Sequence, residues 1–471
     1  MSSWPRYGSF WTLWTAAVFS RLGDALRVPA LALLAASLSR DPRAVAAVVV
    51  AGQLPPLLFG LVGGVYADRW DRRRTMATVD GLRAVLVAGF ALLVATGDAG
   101  IGTLLGCAFL LASLGVAFDA AAFAVLPDIV PADRLATANG RLQAGTAVAG
   151  GFVGAPLAGV LFALAAALPF AVDAATFAVA ALLALTLRPS TSATPGRPPL
   201  GSPRSAAKSR PPGCSSGSAG VLPDRRPGGS SPARPDSLAL PSAAGDRPAV
   251  GSPGRARAPG ASVAGRRVHR MRRIWRESGD GLRWIWRDGT LRLITGLTVV
   301  TNLATSGLIA VTVLYALEVL GVPAAGYGLF MSAAIVGALA GGLCAGRVAA
   351  RLGTLPALRW VLVAETLAVA TLAVARHPVP GAIALAVFSA GTATWNALWS
   401  AYGQRNVPAE LLGRVGGAQR TVGSLAAPVG AIGAGLLGSA AGLPSVSYAA
   451  TAVFALVTVA SWPALRNRAT R

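Results

Sequence analysis

The chain has 471 residues, of which 54% are hydrophobic and 13% charged, and its mean hydropathy is +0.58. A soluble domain carries about twice that charged fraction, so an ordinary globular enzyme is excluded and a membrane protein is expected. The formal net charge of +23 would suit a nucleic-acid binder. Arginine, however, is nearly absent from the apolar stretches and crowds one set of loops, the pattern retained by an anionic cytoplasmic leaflet, and nucleic acid is excluded as a partner.

In chain order, runs long enough for a helix to cross a hydrocarbon core of about 30 Å at roughly 1.5 Å per residue fall at Phe10–Leu38, Ala44–Tyr66, Thr75–Thr96, Ile101–Val125, Gly140–Ala163 and Ala165–Leu187. Six more follow at Leu293–Leu317, Ala325–Ala345, Leu355–Ala375, Ile383–Tyr402, Arg414–Leu437 and Tyr448–Leu465. The expectation is an all-α integral membrane protein with twelve transmembrane helices. The first span is too long for a cleaved signal segment and is interrupted by Arg21, Asp24 and Arg27. Positions 189–272 are rich in Pro, Ser, Gly, Ala and Arg without apolar periodicity, which predicts a disordered, basic cytoplasmic linker. The expected domains are a six-helix half over 1–188, this linker over 189–272, and an amphipathic helix plus a second six-helix half over 273–471. The amphipathic helix is read from Ile274, Trp275, Leu282, Trp284, Ile285 and Trp286 alternating with Arg272, Arg273, Arg276, Arg283 and Arg287, a pattern suited to the membrane interface.

Arg69, Arg72, Arg73, Arg74, Arg134, the linker, Arg347, Arg351, Arg405, Arg466, Arg468 and Arg471 all fall on loops of one parity. The positive-inside rule therefore places both termini and the linker in the cytoplasm. Arginine almost without lysine, beside abundant Ala, Gly and Pro, points to a GC-rich bacterial genome and hence to the bacterial plasma membrane. Cys107, Cys214 and Cys344 have no pairing or metal spacing, so no metal site or cofactor is expected. Gly213-Cys214-Ser215-Ser216-Gly217 matches a nucleophile-elbow pattern but lies in the linker without a strand-turn-helix context. With no phosphate-binding loop either, neither an enzyme nor a direct ATP-driven pump is expected.

An internal duplication supports two pseudo-symmetric halves. Val130-Pro131-Ala132-Asp133-Arg134-Leu135 recurs as Val407-Pro408-Ala409-Glu410-Leu411-Leu412, and Gly64-Val65-Tyr66-Ala67-Asp68-Arg69 corresponds to Gly342-Leu343-Cys344-Ala345-Gly346-Arg347, at nearly the same displacement. Phe118-Asp119 then aligns with Trp395-Asn396, and Asp24 with Asn302. Parallel six-helix repeats enclosing a site near the midplane are one of the recurrent transporter architectures.

The stretch from Gly64 to Arg74, where a long apolar run stops in a knot of charge, resembles the loop between helices 2 and 3 of major facilitator superfamily transporters. Gln53-Leu54-Pro55-Pro56, Asp80-Gly81-Leu82-Arg83, Leu126-Pro127-Asp128-Ile129-Val130-Pro131 and Val172-Asp173-Ala174-Ala175-Thr176-Phe177 are similar to the branch of siderophore exporters and macrolide efflux proteins. Two departures stand out: Asp71 replaces the loop glycine, and the fourth span lacks the arginine of many proton-coupled members. The resemblance implies a conformational gate at Gly64, Asp68, Arg69, Arg72 and Arg73. Asp68 would dock on the partial positive charge at the start of the eleventh span, near Arg414 to Gly417. Arg72 and Arg73 would hold the latch through Asp128 or Asp133, whereas Arg74 reads as a topological marker.

Arg21, Asp24 and Arg27 share one helical face near mid-span. Facing lipid, each would cost about 2.5–3.5 kcal/mol, so they are expected to pair and face a hydrated cavity. Asp24 reads either as a coupling carboxylate or as one half of a permanent ion pair with Arg21 or Arg27. Asp119 and Glu365 are lone carboxylates in apolar sequence, suited to proton exchange. Gln419 and Arg420 would meet an anionic substrate or snorkel to the interface. Asn302, Trp395, Asn396, Trp399 and Tyr402 offer amides and aromatic faces for a large, partly apolar molecule, cationic ones included. In the fifth span Gly150-Gly151-Phe152-Val153-Gly154-Ala155-Pro156-Leu157-Ala158-Gly159 approximates the glycine-proline antiporter motif, with the proline displaced by one place and one glycine replaced by alanine.

Together these features predict a monomeric secondary transporter that exports a small amphipathic molecule, drug or siderophore-like, with protons as the coupling ion. An uncoupled facilitator of lipid or solute, or a non-transporting membrane sensor or scaffold, are the alternatives.

Overall fold

A computed structural model of the chain describes residues 8–67, 72–130, 135–186, 282–408 and 411–469. Among them there is no strand, and the helices follow the predicted spans within a few residues. The first half holds α1 (Gly8–Leu38), α2 (Pro42–Ala67), α3 (Arg72–Thr96) and α4 (Ile101–Ile129). It continues with α5, which runs over Leu135–Val148, a π-helical stretch Ala149–Gly154 and Ala155–Leu164, and ends with α6 (Leu168–Thr186). The second half holds α7 (Gly289–Leu314, extended by π-helical Tyr315–Val319), α8 (Ala324–Leu352), α9 (Thr354–Val374), α10 (Pro378–Asn406), α11 (Leu412–Ala441) and α12 (Leu443–Ala469). Eleven of these helices are long and apolar enough to cross a membrane. The twelfth, α1, has the length at 31 residues and carries Arg21, Asp24 and Arg27 within it.

Local chemistry sets the helix ends. Asp288 caps α7, its carboxylate accepting from the N–H groups of Thr290 and Leu291 at 2.7 and 2.9 Å. Gly353, at φ 79°, ends α8 and starts α9, and Gly442, at φ 83°, does the same between α11 and α12. Glycine adopts this left-handed backbone without a Cβ penalty, so each helix reverses on one residue.

The duplication is visible in the packing. In the first half α1 packs on α5 and α6, α3 on α4 and α6, and α2 on α4; in the second, α7 packs on α11 and α12, α9 on α10 and α12, and α8 on α10. Each pairing has its counterpart six helices on. The halves meet through α2 against α11 and α5 against α8, and these two seams are counterparts of each other. Lipid tails are as apolar as leucine, so close packing rather than escape from water must hold the seams together. Small residues supply it: a Cβ on Gly435 of α11 would lie 2.9 Å from the Ala46 methyl of α2, and one on Gly159 of α5 would lie 2.6 Å from the Ala325 carbonyl of α8.

One core cluster unites both halves at the end where α1 passes to α2 and α7 to α8. There Leu31, Leu34, Val45 and Phe170 belong with Val311, Leu314, Tyr327 and Leu443. Polar contacts reinforce that end: Arg43 Nε donates to Ser439 Oγ at 2.7 Å, and Arg40 lies 3.9 Å from Glu318.

The predicted linker lies outside the described residues. Of the predicted amphipathic helix the described part is a turn at 282–287, where Ile285 is buried against Leu291, Val407 and Val415 while Trp286 is exposed. The fifth span, expected as one regular helix, is instead widened at Ala149–Gly154, where the Ala155 N–H bonds back five residues to the Gly150 carbonyl.

Candidate functional site

The charges of α1 are paired, as their cost in an apolar span requires. Arg27 bonds Asp24 one turn back on α1, and its Nε lies 3.2 Å from Asp173 Oδ2 on α6. Arg21 lies 3.6 Å from Asp24 and 2.5 Å from Asp119 on α4. Asp119 is therefore not the lone carboxylate its apolar neighbourhood implied, because α1 and α4 pack so that Arg21 reaches it. Asp173 is fully buried, whereas the Asp119 side chain is 57% exposed. Gly23 makes the α1–α6 approach possible, since a Cβ there would overlap Asp173 Oδ1 and Thr176 Oγ1.

A second buried pair stands beside the first. Arg83 of α3 donates to Asp80 at 3.4 Å and is sandwiched between the rings of Phe118 and Phe177, with centroids 5.3 and 5.2 Å away. Its Nη2 fills the space at Gly115 of α4, 2.7 Å from where a Cβ would sit. The fourth span has no arginine of its own, yet α3 delivers a guanidinium onto it. Asp80, Arg83 and Asp173 were visible in the sequence only as pieces of a branch motif. The available signal was an ionisable residue inside an apolar span, the same criterion that picked out Asp24.

The second half is neutral where the first is charged. A cavity of about 680 Å³ opens between α7, α10 and α11, lined by Thr298, Asn302, Asn396, Trp399, Ser400, Gln404, Gln419 and Ser424 among others. Asn302 Nδ2 donates to the Gly423 carbonyl at 3.4 Å, which fixes the amide in the wall. Trp399 stacks on Tyr402 at 6.3 Å. The described lining contains no carboxylate; the aromatic face expected to suit a large, partly apolar molecule is supplied there by Trp399. Trp395 lies outside the lining: it is buried among Ile294, Leu358 and Leu398, and its Nε1 donates to Thr298 Oγ1 at 3.3 Å. Glu365 is likewise buried away from the lining, between α9 and α10, accepting from Thr392 Oγ1 at 3.0 Å beside Gly391. Gln419 lines the cavity, and Arg420 is placed in α11 without a described side chain.

Of the expected gate, Gly64 lies in the last turns of α2, and Arg72 opens α3. Asp68 and Arg69 fall outside the described residues. Arg73 donates to the Leu185 carbonyl, one of the acceptors left open at the C-terminal end of α6, and so ties α3 to α6 inside the first half.

Two related six-helix halves, sealed together at one end, with a polar cavity of small-molecule size walled by α7, α10 and α11 of the second half, make up the architecture of a secondary transporter. Residues 13–431 match the model of the Major Facilitator Superfamily, and the chain belongs to that superfamily. It is a multi-pass membrane protein of a family of transporters, which bind small molecules within the membrane and are not enzymes. MFS-type transporters of Mycobacterium tuberculosis and Mycobacterium bovis are each 34% identical over 151 residues, which is 31% of this chain and 33% of the relative. The match thus spans about a third of the length of these curated relatives. Among solved structures, a bacterial homolog of the lysosomal transporter Spinster, inward-facing and occupied, aligns with TM-score 0.66 at 12% identity over 99% of this chain and 98% of its own. A bacterial homologue of the iron transporter ferroportin, inward-facing, aligns with TM-score 0.64 at 14% identity over 97% and 98%. The nucleoside transporter NupG aligns with TM-score 0.63 at 11% identity over 97% and 99%. At these identities the likeness concerns the fold.

Proposed function

We propose that the chain is a proton-motive-force-dependent exporter of a small, amphipathic, uncharged molecule, which binds in the cavity of the second half and is moved by rocking the two halves against each other. The observation that carries this reading is the cavity wall. Amides and hydroxyls from Asn302, Asn396, Gln404, Gln419, Thr298 and Ser400 surround the flat face of Trp399. Such a wall suits a molecule with several hydrogen-bonding groups and one apolar or planar face. Loop arginines support placing the sealed end, with Arg40, Arg43 and Glu318, outside the cell. The cavity residues nearest the α10–α11 connection, Gln404 and Val407, then lie towards the cytoplasm, the side from which an exporter loads. The test is uptake into inside-out vesicles across a panel of drugs and siderophores. Accumulation driven by an imposed pH gradient is expected, and its absence across the whole panel removes the reading.

One observation favours an uncoupled facilitator. Asp24 and Asp119, two of the carboxylates suited to coupling, both sit on arginines. Transport that survives collapse of the gradient in the same vesicles selects that alternative.

A further inference from the structure

The ionisable side chains of the first half form an alternating chain across three helices. It runs from Asp173 on α6 through Arg27, Asp24 and Arg21 on α1 to Asp119 on α4. One end is fully buried and the other is exposed. The neighbouring pair Asp80–Arg83 on α3 closes on itself. Around Asp173 the ionisable groups are Arg27, Asp24 and Arg21 from α1, Arg83 and Asp80 from α3, and the Cys107 thiol from α4. Four carboxylates thus face three guanidiniums. Arg83 belongs to Asp80, Arg21 is closest to Asp119, and Arg27 makes its hydrogen bond to Asp24. Asp173 is the carboxyl left over. Neither of its oxygens has a hydrogen-bond partner, although the Oδ2 side faces Arg27. Its Oδ1 is turned to the bare backbone of Gly23. An ionised carboxylate without full compensation is not sustained in such a setting; it is neutralised or drawn to a cation.

We propose that Asp173 is a proton-binding site, and that its occupancy sets the pairing along the chain out to Asp119. With a proton from water on Oδ1, Asp173 releases its share of Arg27, which stays on Asp24, and Arg21 then stays on Asp119. When that proton leaves to water, Asp173 competes for Arg27, Asp24 turns to Arg21, and the α1–α4 bridge at Asp119 loosens. Asp119 matters because the duplication pairs it with Asn396, a cavity residue of the other half. Proton occupancy at a buried point of α6 is thereby read out at the exposed face of α4. The inference rests on the proton-coupled reading for its purpose, but the site is tested without transport.

The measurement is infrared difference spectroscopy of the whole chain reconstituted in lipid, following the C=O band of protonated carboxyls and its shift in heavy water. The background is Glu365→Gln, which removes the buried carboxyl that has no arginine partner among the described residues; the remaining one besides Asp173, Asp80, is held ionised by Arg83. In that background one protonated carboxyl is expected at neutral pH, and Asp173→Asn abolishes its band. Asp119→Asn, at the far end, frees Arg21 for Asp24 and Arg27 for Asp173, so the same band weakens at fixed pH. A band that survives Asp173→Asn overturns the proposal. Should that variant fail to fold, an unchanged band in the exposed Asp119→Asn variant overturns it instead. A signal that follows sodium chloride against choline chloride at constant pH assigns the site to a metal cation and also overturns it. If the band behaves as stated while the unmodified chain shows no gradient-driven transport in vesicles, the proton site stands and the exporter reading falls.

Discussion

Gly328→Ala is the sharpest test of how the halves move. Gly328 of α8 lies against the Ala155 carbonyl and the Gly159 N–H of α5, so a Cβ would overlap main-chain atoms that no rotamer change can move aside. Overpacking of this kind costs about 1–3 kcal/mol. The contact joins the two halves, so the cost falls on the conformation in which α5 and α8 are packed at this point. A coupling of about 1–3 kcal/mol corresponds to a population shift of roughly 5- to 150-fold. Gly337→Ala is the control, because its methyl would meet the Ala386 carbonyl of α10 inside the same half. The assay is pulsed electron resonance between spin labels at Asp41 and Ala441, on either side of the sealed end. Gly328→Ala should populate longer distances, whereas Gly337→Ala should lower thermal stability without changing the distribution. Identical distributions in Gly328→Ala and the unmodified chain refute the reasoning.

Three further outcomes follow from the geometry. Replacing Asn302 or Asn396 by alanine removes a hydrogen bond of about 0.5–1.5 kcal/mol, so KM in vesicle transport should rise roughly 2- to 13-fold; Trp395→Phe, outside the lining, should leave KM unchanged while lowering the melting temperature. Gly115→Ala pushes the Arg83 guanidinium from between Phe118 and Phe177 and should destabilise the fold by about 1–3 kcal/mol, read as earlier thermal unfolding in detergent. Asp68→Asn should slow transport while Gly346→Asp restores nothing to it, since only the first copy of the duplicated loop carries the aspartate; equal rates in both would reduce the loop to a topological marker.

The spans were legible because a bilayer demands length and apolarity together, and both are local properties. The halves were legible because duplication leaves matching stretches such as Val130-Pro131 and Val407-Pro408. Partnerships were harder to read. Arg27 meets Asp173, far along the chain, and no periodicity announces a contact of that separation. Trp395 and Trp399 lie four residues apart and so on neighbouring parts of one helix face. One is nevertheless buried against α7 and α9 while the other reaches the cavity, because the depth at which α10 parts from its neighbours is a tertiary property.

The widened turn of α5 changes which residues share a helix face. A π turn holds one residue more than an α turn, and in the antiporter-like stretch the proline stands one place late, with Ala155 between Gly154 and Pro156. The widened turn rotates every later α5 position relative to a regular α-helix, and α5 presents Gly159 to α8. Its counterpart α11 runs through Pro428 as a single α-helix without a widened turn. Treating α5 as one regular α-helix would therefore misplace the helix face on which each position beyond Gly154 lies.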